Sequence, residues 1–182
     1  VTIATTGNTQ DFGDLKDSSI AKGSFGSATR GFWAGGDSVP GQQDNKAIEF
    51  TIISSSGGGI DFGDMTSTKA YLSGMSNDIR GFFVGGFTTP EYVKQSRIEF
   101  ITMASTGDAT DFGDLNTTEK VASRGTSNSI RGIFCGGYDG GTFVNSISAI
   151  TIATTGNAVD FGDISGTLRY AAGTSDSHGG LE

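Results

Sequence analysis

The sequence predicts an all-β chain built from tandem repeats of about 50 residues, and three observations predict it. The string Asp-Phe-Gly-Asp begins at Asp11, Asp61, Asp111 and Asp160, at spacings of 50, 50 and 49 residues, and self-similarity at one period marks a repeat architecture. Apolar residues fall in short strand-length blocks bounded by turn residues, and no 11-residue window carries helical i, i+3, i+4 spacing. Glycine is abundant, at 30 of 182 residues, while proline occurs only twice. So much glycine is costly to order, and it suits a fold with many sharp turns and close backbone approaches.

Each period offers four candidate strands. The first is the block Ile48-Glu-Phe-Thr-Ile-Ile53, repeated as Ile98-Glu-Phe-Ile-Thr-Met103 and Ile147-Ser-Ala-Ile-Thr-Ile152, with Val1-Thr-Ile3 as a shorter counterpart. A glycine (Gly7, Gly57, Gly107, Gly156) stands four residues before each first aspartate of the string that forms the second strand. Small-residue stretches such as Tyr71-Leu-Ser-Gly-Met75 and Tyr170-Ala-Ala-Gly-Thr174 form the third, their size fitting a crowded position. The fourth runs from an Arg-Gly pair to a glycine doublet: Arg30 to Gly35-Gly36, Arg80 to Gly85-Gly86, Arg131 to Gly136-Gly137.

The repeat units span about 1–47, 48–97, 98–146 and 147–182 within a single domain, the first and last incomplete. A four-stranded unit cannot bury both faces alone, so neighbours must stack. The expected fold is a β-propeller of about four blades whose closing blade is composite, its last strand joining the first two. A ring of about eight blades shared between two chains, closed by self-association, is the alternative. The doublet-ended strand, the variable loop after it and the period resemble kelch repeats, and that resemblance implies the propeller. The phrases Thr-Gly-Asn/Asp and Asp-Phe-Gly-Asp-Leu are similar to kelch-like arrays in structural proteins of marine bacteriophages, which implies a virion as the setting.

The chain is acidic, with a formal net charge of −8. No Lys/Arg cluster offsets that, so nucleic acid and anionic membrane surfaces are not expected partners. Apolar runs are too short for a spanning helix. Val1 opens directly in a strand pattern instead of a leader, and Leu181-Glu182 resembles residues left beside a purification tag. One cysteine, Cys135, allows no intrachain disulfide, and its apolar strand favours a small buried hydrophobe over a nucleophile. The single histidine, His178, lies in the tail and offers little to a catalytic triad.

The Asp-Phe-Gly tripeptide matches the magnesium-binding string of protein kinases, but four copies without a phosphate loop or a His-Arg-Asp loop remove that reading. Phe12, Phe62, Phe112 and Phe161 are expected in the core between units, with the following glycine at a bulge or tight bend. The aspartate pairs Asp11 and Asp14, Asp61 and Asp64, Asp111 and Asp114, and Asp160 and Asp163 could ligate calcium. That ion needs six or more oxygens, so no cofactor is expected. Spacing of 16 or 17 residues to Arg30, Arg80 and Arg131 instead predicts Asp–Arg pairing within a unit.

Invariant scaffold with variable loops is how recognition surfaces are built. The segments that differ between units follow the doublets: Asp37–Lys46, Phe87–Ser96 and Tyr138–Ser146. Phe87, Tyr92, Tyr138 and Phe143 are the candidate ligand contacts there. Three function classes follow. A non-enzymatic module binding a protein or glycan leads, a self-assembling structural array comes second, and a hydrolase or lyase with a channel site comes last for want of a catalytic constellation.

Overall fold

A computed structural model describes residues 6–38, 45–88, 92–116, 124–139, 141–168 and 172–174. All regular structure in these residues is β, in three four-stranded antiparallel sheets and three two-stranded ribbons. Numbered in chain order, the strands are β1 (Ser19–Ile20), β2 (Gly23–Gly26), β3 (Arg30–Ala34), β4 (Asp37–Ser38), β5 (Ala47–Ile52), β6 (Ile60–Asp64), β7 (Ser73–Ser76), β8 (Arg80–Val84) and β9 (Phe87–Thr88). They continue as β10 (Val93–Lys94), β11 (Arg97–Thr102), β12 (Thr110–Asp114), β13 (Arg124–Ser127), β14 (Arg131–Cys135), β15 (Tyr138–Asp139), β16 (Thr142–Phe143), β17 (Ser146–Thr151) and β18 (Val159–Asp163).

Each large sheet is a meander: β2-β3-β5-β6, β7-β8-β11-β12 and β13-β14-β17-β18. The sheets run out of phase with the sequence units, because the last two strands of each sheet belong to the following unit. Short polar turns join the first two strands. Ser27, Asn77 and Asn128 each accept the backbone N–H of Arg30, Arg80 or Arg131 through the side-chain oxygen. Side-chain oxygens of this kind stabilise tight turns.

Three of the four Asp-Phe-Gly-Asp strings form the outer strands β6, β12 and β18, and each of these carries the expected bulge, while the string at Asp11 lies outside every strand. Against β11, Ile98 pairs with Gly113 and Glu99 with Asp111, leaving Phe112 as the extra residue; β5–β6 and β17–β18 shift at the same place. The bulge turns Phe62 and Phe112 into the cores between sheets, each only 3% exposed. Burying a ring this completely contributes about 1.5–3 kcal/mol. Phe62 joins Phe32, Phe50, Phe83, Ile101 and Met103 between the first and second sheets. Phe112 joins Phe82, Ile98, Phe134, Ile150 and Ile152 between the second and third. Phe12 and Phe161 depart from this pattern, at 42% and 51% exposed.

Glycine follows the bulged phenylalanine for two reasons. The backbone takes φ of +140° at Gly13, +151° at Gly63, +145° at Gly113 and +131° at Gly162, a region nearly reserved for glycine. A Cβ on Gly13, Gly63 or Gly113 would also lie 2.4–2.5 Å from the carbonyl oxygen of Gly57, Gly107 or Gly156 in the next sheet.

That close approach is a repeated joint. Gly57 N–H donates to Phe12 O and Gly59 N–H to Asp14 O; Gly107 and Ala109 do the same to Phe62 and Asp64, and Gly156 and Ala158 to Phe112 and Asp114, all at 2.8 Å. Asp64 N–H donates to Asp108 Oδ1 (2.9 Å) and Asp114 N–H to Asn157 Oδ1 (3.0 Å), closing a third bond in two of the joints.

The first strands of the sheets lie side by side, β2 against β7 and β7 against β13. A Cβ on Gly74 would stand 2.2 Å from Ser24 O, so the small residues of this stretch are a requirement of packing. Hydroxyls stitch the stretch together: Ser76 Oγ to Gly26 O (2.6 Å), Ser127 Oγ to Ser76 O (2.6 Å) and Thr126 Oγ1 to Thr174 O (2.5 Å). These four segments line one cavity of about 110 Å³.

Candidate functional site

The glycine doublets set up the variable-loop surface. Gly35 and Gly36, Gly85 and Gly86, and Gly136 and Gly137 all take positive φ, from +62° to +116°, and turn the chain out of β3, β8 and β14. Gly36 and Gly137 donate to Lys69 O and Leu168 O (3.0 and 2.8 Å) in the connectors that follow the sheets. Past the doublets, β9 pairs with β10 and β15 with β16 as small hairpins, while β4 pairs with β1.

The four aromatic residues expected on this surface come together in two pairs. Phe87 and Tyr92 lie with ring centroids 5.2 Å apart, and Tyr138 and Phe143 5.6 Å apart. Lys94 of β10 places its Nζ 5.6 Å from the Tyr138 ring centre, joining the pairs across the two hairpins. Tyr71 adds a ring the sequence did not point to, stacked on Phe87 at 4.6 Å and 18°. Its position is held by a backbone φ of +60° and by its N–H donating to Ala21 O (2.8 Å). Tyr92 also takes positive φ, +54°. Phe87 and Ala70 exchange backbone hydrogen bonds of 3.0 and 2.9 Å, anchoring the hairpin to its scaffold.

Three of these rings are open to solvent, Tyr92 most of all at 58% exposed, with Tyr138 and Phe143 more than a third exposed, while Tyr71 and Phe87 are half-buried. The first unit carries a buried Asp37 where the others carry Phe87 and Tyr138, so the aromatic strip belongs to the second and third units. Such a strip offers flat apolar faces rimmed by hydroxyls and one ammonium, suited to stacking against sugar rings or apolar side chains.

The scaffold residues of the repeat sit elsewhere. The aspartate that opens the string folds back on its own bulge: Asp11, Asp111 and Asp160 accept N–H bonds from Gly13, Gly113 and Gly162 at 3.1–3.3 Å. The closing aspartates differ between units, Asp64 pairing with Lys46 at 2.9 Å and Asp114 accepting from Ser96 Oγ at 2.9 Å. The Asp64 hydrogen bond, then its charge, raises the Lys46 pKa above 10.5.

The Asp–Arg pairing expected from spacing is not what forms. Arg30 reaches into the next sheet and donates to Met103 O (2.9 Å) while lying 4.7 Å over the Phe50 ring. Arg80 does the same with Ile152 O (2.7 Å) and Phe100 (4.8 Å), and Arg131 lies 5.2 Å over Phe161. The aspartates are engaged locally, Asp11, Asp111 and Asp160 by their own string's glycine and Asp64 and Asp114 by Lys46 and Ser96, while Arg30 and Arg80 bond carbonyls of the next sheet. Cys135 is half-buried on β14, more open than expected. His178 lies outside the described residues.

Two buried ion pairs were not foreseen. Glu49 and Glu99, in the middle of the apolar blocks, are enclosed and face Lys22 (3.7 Å) and Lys69 (3.4 Å). Lys16 N–H also donates to Glu49 Oε2 (2.9 Å), and the Thr66 hydroxyl bonds Glu99. The third sheet has Ser148 at this place, bonded to Asn116. Burial holds the Lys69 pKa below 10.5, with Glu99 opposing the shift. The only sequence signal was a recurring acid between Ile and Phe in a strand that stacking buries on both faces.

No protein-family model matches this chain, and none of the curated proteins matches it.

Proposed function

We propose that this chain is a non-enzymatic binding module, a β-propeller of kelch-like blades that engages a protein or glycan through its variable-loop face. The observation that carries the reading is the aromatic strip Tyr71–Phe87–Tyr92 joined through Lys94 to Tyr138–Phe143, in which Tyr92, Tyr138 and Phe143 are exposed. Large rings held in place by backbone bonds and positive φ lose little entropy on binding, which is what makes aromatic residues effective contact points. A propeller is supported by the four inner segments converging on one cavity and by the repeated joint between neighbouring sheets. The setting we propose is a phage particle, from the similarity of the repeat phrases to those of phage arrays.

The test is retention of the labelled chain on immobilised bacterial envelopes, wild type against Tyr92→Ser/Tyr138→Ser/Phe143→Ser. The reading expects retention to fall at least ~10-fold in the variant, the scale of losing one or two buried contact residues. Periodate treatment of the envelopes abolishes it for a glycan, protease treatment for a protein. Retention of the variant equal to wild type overturns the loop face as the binding surface.

A further inference from the structure

The joint between an Asp-Phe-Gly-Asp string and the glycine loop of the next sheet occurs three times, twice between neighbouring sheets and once from residues 12–14 to the first sheet, and among the described residues both halves of a fourth are present but not engaged. On one side is the outer edge of β18. Phe161 is 51% exposed where Phe62 and Phe112 are buried. Among the described residues, no atom lies within 4 Å of a would-be Cβ on Gly162, where Gly13, Gly63 and Gly113 each meet a carbonyl of the next sheet. Arg131 lies over Phe161, and among the described residues its guanidinium finds no carbonyl such as Met103 O or Ile152 O, which Arg30 and Arg80 reach. A cavity of about 330 Å³ opens here, lined by Arg131, Thr151, Val159 and Phe161 among others.

The complementary half is Gly7-Asn8-Thr9. These residues stand in the register of Gly156-Asn157-Ala158, with Asn8 at the place where Asn157 Oδ1 accepts Asp114 N–H. Residues 6–10 are exposed, and no described residue bonds them to β18. Only a few residues on, Phe12 O and Asp14 O hold the same segment to the first sheet.

We propose that the uncovered edge of β18 docks the Gly7-Asn8-Thr9 segment of a second copy of this chain, head to tail. Gly7 and Thr9 N–H would donate to Phe161 O and Asp163 O, Asn8 would accept from Asp163 N–H, and Phe161 would be covered. The contact is heterologous, so it builds a closed ring if the rotation closes and a filament if it does not. Strand edges with unpaired polar groups are natural templates for such addition.

Sedimentation of the full chain across concentration tests this. Mass is expected to rise from 18.7 kDa to at least twice that value. Phe161→Asp and Gly162→Ala damage the edge, and Gly7→Pro removes a donor from the segment. Each is expected to weaken association at least ~10-fold, the scale of one lost joint contact, with melting in dilute solution the control for folding. Mixing Phe161→Asp with Gly7→Pro restores one intact joint, so the mixture is expected to form dimers that neither variant forms alone. A wild type that stays monomeric, association that no variant weakens, or a mixture that stays monomeric would each overturn the proposal.

Discussion

Gly113→Ala and Gly162→Ala place the same change at the same position of the repeat, in the same backbone region and with different neighbours. At φ of +145° and +131°, both alanines incur conformational strain of about 1–3 kcal/mol. Only at Gly113 does the new Cβ meet a neighbour, Gly156 O at 2.5 Å, and relief requires the third sheet to move away. That movement strains the 2.8 Å bonds to Phe112 O and Asp114 O, worth about 0.5–1.5 kcal/mol each. It also opens part of the Phe112 core. Gly113→Ala should therefore lose about 2–3 kcal/mol more than Gly162→Ala, equal to about 5–10 °C in melting temperature for a chain of this size. Urea unfolding of both variants measures the difference, in dilute solution where no second copy occupies the β18 edge. Equal losses at the two sites would refute the reasoning, since strain alone would then explain both.

Arg80→Met removes a bond to Ile152 O and contact with the Phe100 ring, and thermal unfolding should show a loss of about 1–2 kcal/mol. Arg131→Met, which gives up only a ring contact, should cost less than about 1 kcal/mol. Lys69→Met strands Glu99 in the core and should cost about 3–5 kcal/mol, while Lys69→Met/Glu99→Leu should recover most of it. Burial lowers the Lys69 pKa, so the penalty for its charge is complete below that lowered folded-state value. Wild type should then gain stability relative to the double variant as pH rises from that value to 10.5, and a relative loss over that window would contradict the shift. Adding millimolar calcium should leave the melting temperature unchanged, because the opening aspartates Asp11, Asp111 and Asp160 are already engaged by the glycine of their own string.

Much of the fold was legible because turns and repeats are local signals. The bulge at Asp-Phe-Gly, the buried Phe62 and Phe112 and the turn-forming doublets all stand where the sequence placed them. What escaped prediction crosses between units. Arg30 and Arg80 were paired with aspartates on sequence separation, but their carbonyl acceptors lie more than 70 residues away. Glu49 and Glu99 lie inside apolar strand blocks, and nothing in those blocks marks them as paired and buried, because sheets stacked on both faces leave their strands no solvent side. Of the loop surface, Phe87, Tyr92, Tyr138 and Phe143 were found from their position after the doublets. Tyr71 was assigned to the third strand, which begins two residues later at Ser73. Its positive φ turns the ring toward Phe87, and nothing in a one-dimensional pattern reports that turn.

Amide hydrogen exchange at Gly57, Gly107 and Gly156 tests the stacking of the sheets most directly. These glycines are exposed and lie outside every strand, so only the bonds to Phe12, Phe62 and Phe112 of the preceding string can slow their exchange. Protection well above that of Gly7 in dilute solution is the predicted result. Exchange at all three as fast as at Gly7 would mean that the joints do not hold and that the sheets are not stacked in this way.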